Sequence, residues 1–174
     1  MKKDIVYLEN PPLERWKEYE ALRIEALHDS PQAFDQSIEE AKAFTEEQWK
    51  SVLSGALEGM KTIIVAEDAG KFIGMGILRF YQKKKFNHIA WFDSFYVSPD
   101  YRGKGIGATI MQKIIQASEQ NPVTKSIFTE VVGTQKASLA LHTKLGFTIV
   151  GTRPEFVHIN DEYVDLITFQ KKLK

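Results

Sequence analysis

A glycine-rich turn with two cations stands past the middle of the chain and could bind an anionic ligand. The turn Arg102-Gly103-Lys104-Gly105-Ile106-Gly107 follows a β-forming segment and the turn signal Pro99-Asp100. From Ile106 onward, apolar residues recur at helical spacing, so the turn opens a helix. The first turn of a helix presents backbone N–H groups without intrahelical partners, at the positive end of the helix dipole. Because glycines let a ligand approach those groups, residues 102–108 predict a pyrophosphate-binding turn.

Two common nucleotide-binding motifs fit this turn poorly. A Walker P-loop needs Ser or Thr after its lysine to hold magnesium, whereas Lys104 is followed by Gly105. A dinucleotide-binding fingerprint opens an alternating strand–helix chain near its first strand, and this turn lies far from the first strand. A flexible loop ahead of an ordinary helix is the simplest alternative, although it gives Arg102 and Lys104 no role as counter-charges.

The turn resembles the acyl-CoA signature of the GNAT superfamily of N-acetyltransferases. That signature is Arg or Gln, two residues, Gly, any residue, and Gly or Ala, and Arg102 to Gly107 match it without a gap. The segment from Leu22 to Phe34 resembles the first helix and following turn of many members. The segment from Ala137 to Phe147 resembles a helix and a Gly-Phe strand entry near their C-terminus. The resemblance spans nearly the whole chain, and its glycine-rich part is the most specific.

The resemblance implies a place for acetyl-CoA as co-substrate. Its pyrophosphate is expected at the turn, and its pantetheine arm along the preceding strand, in a gap where two neighbouring strands splay. An extended arm with amide groups can pair with strand backbone, and a backbone N–H there could stabilise the developing oxyanion. The expected cofactor-binding residues are Phe95, Tyr96, Val97, Arg102, Gly103, Lys104, Gly105, Ile106, Gly107, Ala108, Gln135, Ser138 and Lys144.

Three of these residues lie near the C-terminal helix. Gln135 stands where relatives often have Asn, and its amide could still bond to pantetheine. Ser138 lies one turn later on the same face. Lys144 could reach the 3′-phosphate of CoA, or it could be an exposed cation favoured by the helix dipole.

Asp93 is the leading candidate for the general base. The acceptor is expected to be a primary amine of a small molecule or peptide, because an amine needs no protein nucleophile and the chain has no cysteine. An alkylamine with a pKa of about 10.4 must lose a proton before it attacks. A period of two places Asp93 on the same strand face as Phe95 and Val97. Asp93 could equally bind a cationic substrate, and Glu67 and Glu130 are weaker candidates for the base.

His142 is the second candidate catalytic residue and the main departure from the family pattern. Relatives typically carry Tyr at this helix position, where it protonates the departing CoA thiolate. An imidazolium with a pKa of about 6.5 could donate that proton. A histidine on a helix is also commonly structural, and binding and orientation alone could support the reaction. The alternative function is a non-catalytic acyl-CoA-binding or sensing module of the same fold.

The acceptor site is expected from the first two helices, the turn at 81–88 and the loop at 154–162. A solvated hairpin tip is expected at Lys83–Lys85. Aromatic side chains are candidates for lining the acceptor site, although most large apolar residues belong to the core. These candidates are Phe34, Trp49, Tyr81, Trp91, Phe156, His158 and Tyr163.

Composition narrows the functional class. Basic and acidic residues number 23 each, so no net field favours nucleic acid or an anionic membrane, and neither is an expected partner. The absence of cysteine excludes a disulfide framework and a cysteine-based metal site, and no metal is expected. Without a signal-peptide pattern or an apolar run of about 18 residues, we expect a cytoplasmic protein. Relatives are often dimers, which leaves a homodimer open.

The patterns of apolar residues predict the fold. The element order is β-α-α-β-β-β-α-β-α-β-β, in a single domain over residues 1–174 that the resemblance implies is a GNAT domain. This order, with the resemblance, implies an α+β fold with a GNAT-like mixed, mainly antiparallel sheet of six to seven strands and about four helices. Residues 37–57 are expected as a helical region in two pieces, and Gly74 and Gly76 predict a bulge or close backbone approach. A strand is expected at 147–152, with Pro154 in the loop after it.

Overall fold

A computed structural model describes residues 5–159 and 161–173. Seven strands form one sheet in the order β1-β2-β3-β4-β5-β7-β6. The strands are β1 (Val6–Glu9), β2 (Lys61–Asp68), β3 (Lys71–Phe80), β4 (Ile89–Val97), β5 (Ser126–Val132), β6 (Thr148–Ile159) and β7 (Glu162–Lys172). The α-helices are α1 (Trp16–Asp29), α2 (Ile38–Lys42), α3 (Glu46–Leu57), α4 (Ile106–Gln120) and α5 (Lys136–Lys144). The β4–β5 pair is parallel and the other described pairs are antiparallel, so the sheet is mixed and mainly antiparallel, as predicted.

The helices cover both faces of the sheet. Ile63 and Val65 on β2 pack in a core with α1 and α3, whereas their neighbour Ile64 packs in a second core with α4. This division follows from the alternation of side chains along a strand. Because the central strands are covered on both sides, they read as continuous apolar runs rather than as an alternation of apolar and polar residues.

Residues 37–57 form two helices, as expected. Each helix begins with its own capping box, which joins Ser37 to Glu40 in α2 and Thr45 to Gln48 in α3. Such reciprocal side-chain bonds satisfy backbone donors that a helix start leaves free, so each box starts a separate helix. Among residues 5–159 and 161–173, no helix is long and apolar enough to cross a membrane.

Gly74 and Gly76 let α4 lie against β3, which confirms the predicted close approach. A Cβ atom at Gly76 would stand 2.9 Å from the Phe92 ring and 3.0 Å from Ile110 Cγ2. A Cβ atom at Gly74 would stand 3.0 Å from Ile110 Cδ1. The pairing of β3 with β4 also shifts between Met75 and Ile77, so this stretch is a bulge as well.

The bulge places an extra residue in β4. Ile77 pairs with Asp93 and Met75 pairs with Tyr96, so two steps along β3 match three along β4. Ser94 lies within this stretch with a φ of 54°, in the left-handed region. An extra residue of this kind interrupts the alternation of side chains between the two faces of a sheet.

The expected shared face of Asp93, Phe95 and Val97 is therefore wrong. Asp93 pairs with a β3 residue whose side chain packs toward α1 and α3, and Tyr96 packs in that core. Phe95 and Val97 instead pack against the core beneath α4. The period of two holds up to the bulge and reverses after it, because the inserted residue moves the later side chains to the opposite face.

The C-terminal hairpin is longer than predicted. β6 extends to Ile159, so Pro154 lies within a strand and the expected loop at 154–162 is largely absent. Pairing with β7 shifts between Arg153 and Val157, and Glu155 has a φ of 52°. A bulge on an edge strand accommodates a proline because the lost N–H faces outward, and β6 is at the edge of the described sheet.

Candidate active site

The site is a cavity of about 1300 Å³ between two diverging strands. Pairing between β4 and β5 ends at Phe92 and Thr129, whereas β5 continues to pair with β7 as far as Val132. Residues on both strands beyond this point line the cavity, namely 93–97 on β4 and 130–132 on β5. The backbone edge of β4 is thus free of β5 where the predicted pantetheine site lies.

The glycine turn forms another part of the same cavity. The N–H of Thr109 donates to the carbonyl of Gly105 at 3.1 Å, which is the first hydrogen bond of α4. The preceding N–H groups, at residues 106–108, therefore have no intrahelical acceptor. Gly105 has a φ of 85°, and a Cβ atom there would meet no atom of the described residues within 4 Å. The turn offers both the backbone donors and the open space that an anion requires.

The two cations of the turn contact the protein. Arg102 Nε donates to the carbonyl of Val97 at 2.9 Å, and its guanidinium pairs with Asp29. Burial opposes ionisation of Asp29, but hydrogen bonds from Ser30 and Arg102 outweigh it and lower the pKa of that carboxyl. Lys104 Nζ donates to a backbone carbonyl at 2.7 Å. Both side chains hold the turn in shape, and only the first of the two lines the cavity.

His142 is 1% exposed and packs among aromatic rings. Its Nδ1 lies 2.8 Å from the carbonyl oxygen of Ser138, which can only accept, so Nδ1 carries the hydrogen. Its Nε2 has no hydrogen-bond partner among the described residues. Burial lowers the pKa of His142 below 6.5, against the opposing effect of the Ser138 carbonyl. The surrounding rings are those of Phe92, Phe95, Phe147 and Phe169.

Asp93 lines the cavity in an ion pair with Arg79. Its Oδ2 accepts from Arg79 Nε at 2.5 Å, and its Oδ1 accepts from Arg79 Nη2 at 3.4 Å. Both side chains are partly exposed, so a ligand can reach them. No sequence pattern had indicated Arg79, because its partner comes from pairing between strands.

Glu67 and Glu130, the weaker candidates for the general base, lie in different parts of the structure. Glu130 on β5 lines the cavity, pairs with Arg153 and accepts a hydrogen bond from Thr168 at 3.1 Å. Glu67 instead pairs with Arg15 at 3.0 Å and does not line the cavity. Of the two, the geometry leaves Glu130 within reach of a ligand in this site.

Arg23 on α1 lines the cavity, and sequence reasoning missed it. Its Nε donates to Gln36 Oε1 at 3.2 Å, and its Nη1 donates to Ser94 Oγ at 3.3 Å. The guanidinium stacks 4.4 Å from the centre of the Phe34 ring. Burial lowers the pKa of Arg23, and the nearest charged groups do not offset that effect. In the sequence it is one polar residue on an amphipathic helix, with no motif to mark it.

The cavity brings together most of the residues expected to bind the cofactor. All of them except Lys104 line it, as do Asp93 and His142. Of the aromatic candidates for the acceptor site, Phe34, Trp91, Phe156 and His158 line the cavity. Trp49 is instead a core residue at 1% exposure, and Tyr81 and Tyr163 are exposed side chains that do not line it. None of the residues of the turn at 81–88, from which a contribution to the acceptor site was expected, lines the cavity.

Comparison with known proteins identifies relatives of the chain. Phosphinothricin N-acetyltransferase from Alcaligenes faecalis is 28% identical over 110 residues, which cover 63% of this chain and 56% of that protein. The chain thus matches little more than half the length of this relative. The structure of a GNAT-family acetyltransferase from Streptococcus pneumoniae superposes with a TM-score of 0.89, at 17% identity, over 98% of this chain and 100% of that one.

A phosphinothricin acetyltransferase from Sinorhizobium meliloti, solved in complex with AcCoA, superposes with a TM-score of 0.80 at 19% identity. That superposition covers 97% of this chain and 88% of the other. At such identities the two structures establish the fold. The sequence pattern of the acetyltransferase (GNAT) family matches residues 21–147, which include the C-terminal part of α1, the glycine turn and α5. The chain belongs to the acetyltransferase (GNAT) family.

Proposed function

We propose that the chain transfers an acetyl group from acetyl-CoA to a primary amine of a small molecule or peptide, by direct attack of the amine. One observation carries the proposal. A single cavity joins the free N–H groups at the start of α4 to the diverging strands β4 and β5, with Asp93 on its wall. Backbone donors suited to an anion and a carboxylate suited to accept a proton thus lie in one site, as acyl transfer from a diphosphate-bearing donor requires.

The residues at the glycine turn fit the diphosphate of acetyl-CoA. The open space at the Cβ position of Gly105 and the N–H groups of residues 106–108 support this assignment. The 95–97 segment of β4 is proposed to pair with the pantetheine amides, because β5 leaves that edge free. Gln135, Ser138 and Lys144 line the same cavity and are proposed as further contacts.

In the reaction, a bond forms between the amine nitrogen and the acetyl carbon, and the carbon–sulfur bond breaks. The amine loses a proton, and the sulfur gains one. Acetyl-CoA supplies the activated acyl group as a thioester. Asp93 is proposed to accept the amine proton directly or through a water, while Arg79 holds its carboxylate in place. A backbone N–H of β4 next to the bulge is proposed to stabilise the charge that develops on the carbonyl oxygen.

The burial of His142 opposes a role for this residue as the proton donor. A donor at neutral pH would have to be an imidazolium, and burial lowers the pKa of this histidine. The pH profile of kcat tests the role: donation by His142 requires a rate that falls as pH rises past the pKa of this group. The replacement His142→Tyr would then move that limb to higher pH, because a phenol keeps its proton to a pKa of about 10.

A non-catalytic acyl-CoA-binding module is the second candidate function. The burial of His142, which lowers its pKa at a position where relatives typically carry a tyrosine acid, favours this alternative. Release of free CoA from acetyl-CoA with a panel of polyamines, amino acids, aminoglycosides and peptides separates the two. We expect release with at least one amine. Acetyl-CoA binding without release from any amine would instead support the module.

The name of the first relative supports a small acceptor, since phosphinothricin N-acetyltransferase acts on one. We extend the proposal to a cytoplasmic protein, because acetyl-CoA is available there. A homodimer is the oligomeric state to test first, by light scattering at several concentrations.

A further inference from the structure

Arg23 differs from the other arginines in having no carboxylate partner among the residues that the structure describes. Within the described ranges, no Asp or Glu oxygen lies within 4.0 Å of its guanidinium. Every other arginine forms an ion pair at that distance, and these are Arg15, Arg79, Arg102 and Arg153. A guanidinium that is partly removed from water and lacks a counter-ion carries a cost that a bound anion would remove.

Neutral contacts hold this guanidinium in a fixed orientation. The ring of Phe34 lies against its face, and Gln36 and Ser94 accept from Nε and Nη1. Its Nη2 donates to none of the described residues and is not among the buried polar atoms that lack a partner. The unused donors are therefore accessible, and the side chain lines the cavity. A pre-oriented guanidinium of this kind suits the two oxygens of a carboxylate.

The position of Arg23 associates it with the acceptor rather than with the diphosphate of CoA. Its partner Ser94 lies at the bulge of β4, and Val97 is three residues further toward the glycine turn. At about 3.3 Å per residue, Val97 lies about 10 Å from Ser94, and the glycine turn begins only beyond Val97. The contact of Arg23 with Ser94 thus lies away from the proposed diphosphate site. Asp93, the proposed base, is adjacent to Ser94 in the chain and shares the cavity with Arg23.

We propose that Arg23 binds a carboxylate of the amine acceptor, so that the preferred substrates are amines that also carry an acidic group. This inference rests on the proposed acetyl transfer. The guanidinium would hold the carboxylate end of the acceptor while the amine lies toward Asp93 and the thioester. The residue determines specificity and takes no part in proton transfer.

The test compares acceptors that differ only in charge. A panel of α- and ω-amino acids is measured beside the corresponding carboxamides, first as CoA release and then as binding by calorimetry in the presence of CoA. The variant Arg23→Met removes the guanidinium, and Lys17→Met removes an exposed cation from the same helix as a matched control. The variant Arg23→Lys keeps the charge but loses the two-pronged geometry.

We expect the wild-type protein and the Lys17→Met variant to prefer carboxylates over carboxamides. In Arg23→Met that preference falls by about ten- to a hundredfold, because the loss of one charge-assisted hydrogen bond changes an affinity by that factor. The variant Arg23→Lys keeps part of the preference. The affinity for acetyl-CoA stays at the wild-type value, whereas its loss would assign Arg23 to a CoA phosphate and overturn the inference. Equal binding of carboxylates and carboxamides by the wild-type protein would also overturn it.

The two proposals fail in different ways. If the wild-type protein releases no CoA with any amine, acetyl transfer is refuted, and the calorimetric preference for carboxylates still decides the role of Arg23. If CoA is released equally well from both members of each pair, acetyl transfer stands and the role of Arg23 is refuted. Thermal unfolding of each variant verifies that the measured protein is folded.

Discussion

Replacing Gly105 by alanine tests whether the glycine turn binds the diphosphate of acetyl-CoA. Gly105 has a φ of 85°, which costs an L-residue about 1–2 kcal/mol. The added methyl meets no protein atom within 4 Å, so backbone strain is the only penalty to folding. For a chain of this length, 1 kcal/mol lowers Tm by about 2–4 °C, and we expect a decrease of about 2–8 °C. The same methyl enters the space proposed for the diphosphate.

Gly70 provides a matched control at the β2–β3 turn. Its φ is 86°, and a Cβ atom there also meets nothing within 4 Å, but it does not line the cavity. Gly70→Ala should lower Tm as much as Gly105→Ala does. In calorimetry at 25 °C, only Gly105→Ala should weaken acetyl-CoA binding, by about tenfold or more, because one charge-assisted hydrogen bond is displaced.

One result of comparing Gly105→Ala with Gly70→Ala would refute the diphosphate site at the glycine turn. If Gly105→Ala binds acetyl-CoA as tightly as the Gly70→Ala variant does, the turn does not hold the diphosphate. Gly105→Glu is a stronger form of the same test, since it adds a negative charge beside the proposed anion. If affinity survives that change too, the proposed site for acetyl-CoA is wrong.

Three further predictions concern the core. Gly76→Ala should lower the free energy of unfolding by about 1–3 kcal/mol, because the added methyl would overlap Phe92 and Ile110. Urea denaturation measures this change, and an unchanged midpoint would contradict the close approach of α4 to Gly76. Burial lowers the pKa of His142 in the folded state. Below a pH of about 6.5 the unfolded chain therefore binds the proton more tightly than the folded chain, and the free energy of unfolding falls as pH falls. His142→Phe should flatten that decrease between pH 7 and 5, and parallel curves for the two proteins would exclude the linkage. Trp49→Ala should cost about 3–5 kcal/mol by thermal unfolding, whereas a small loss would place Trp49 outside the core.

Local patterns in the sequence were sufficient for most of the fold. The capping residues, the glycines with positive φ and the apolar periods are short-range features, and each acts through neighbouring residues. The sequence predicted two helical pieces at 37–57, a helix from Ile106, and a bulge or close backbone approach at Gly74 and Gly76, as the structure has them. Prediction failed where pairing between strands overrides the local pattern, as at Pro154 in β6.

The site depended more strongly on the tertiary structure. The glycine turn and the family signature could be predicted from sequence, because both lie in six consecutive residues from Arg102 to Gly107. The face on which Asp93 lies was decided by the bulge at Ser94, whose extra residue appears only when β3 is paired with β4. The folded chain also brings Arg23 to Ser94, across 71 residues of sequence. Burial, counter-charges and strand register arise from contacts between distant segments, and no local pattern in the sequence encodes them.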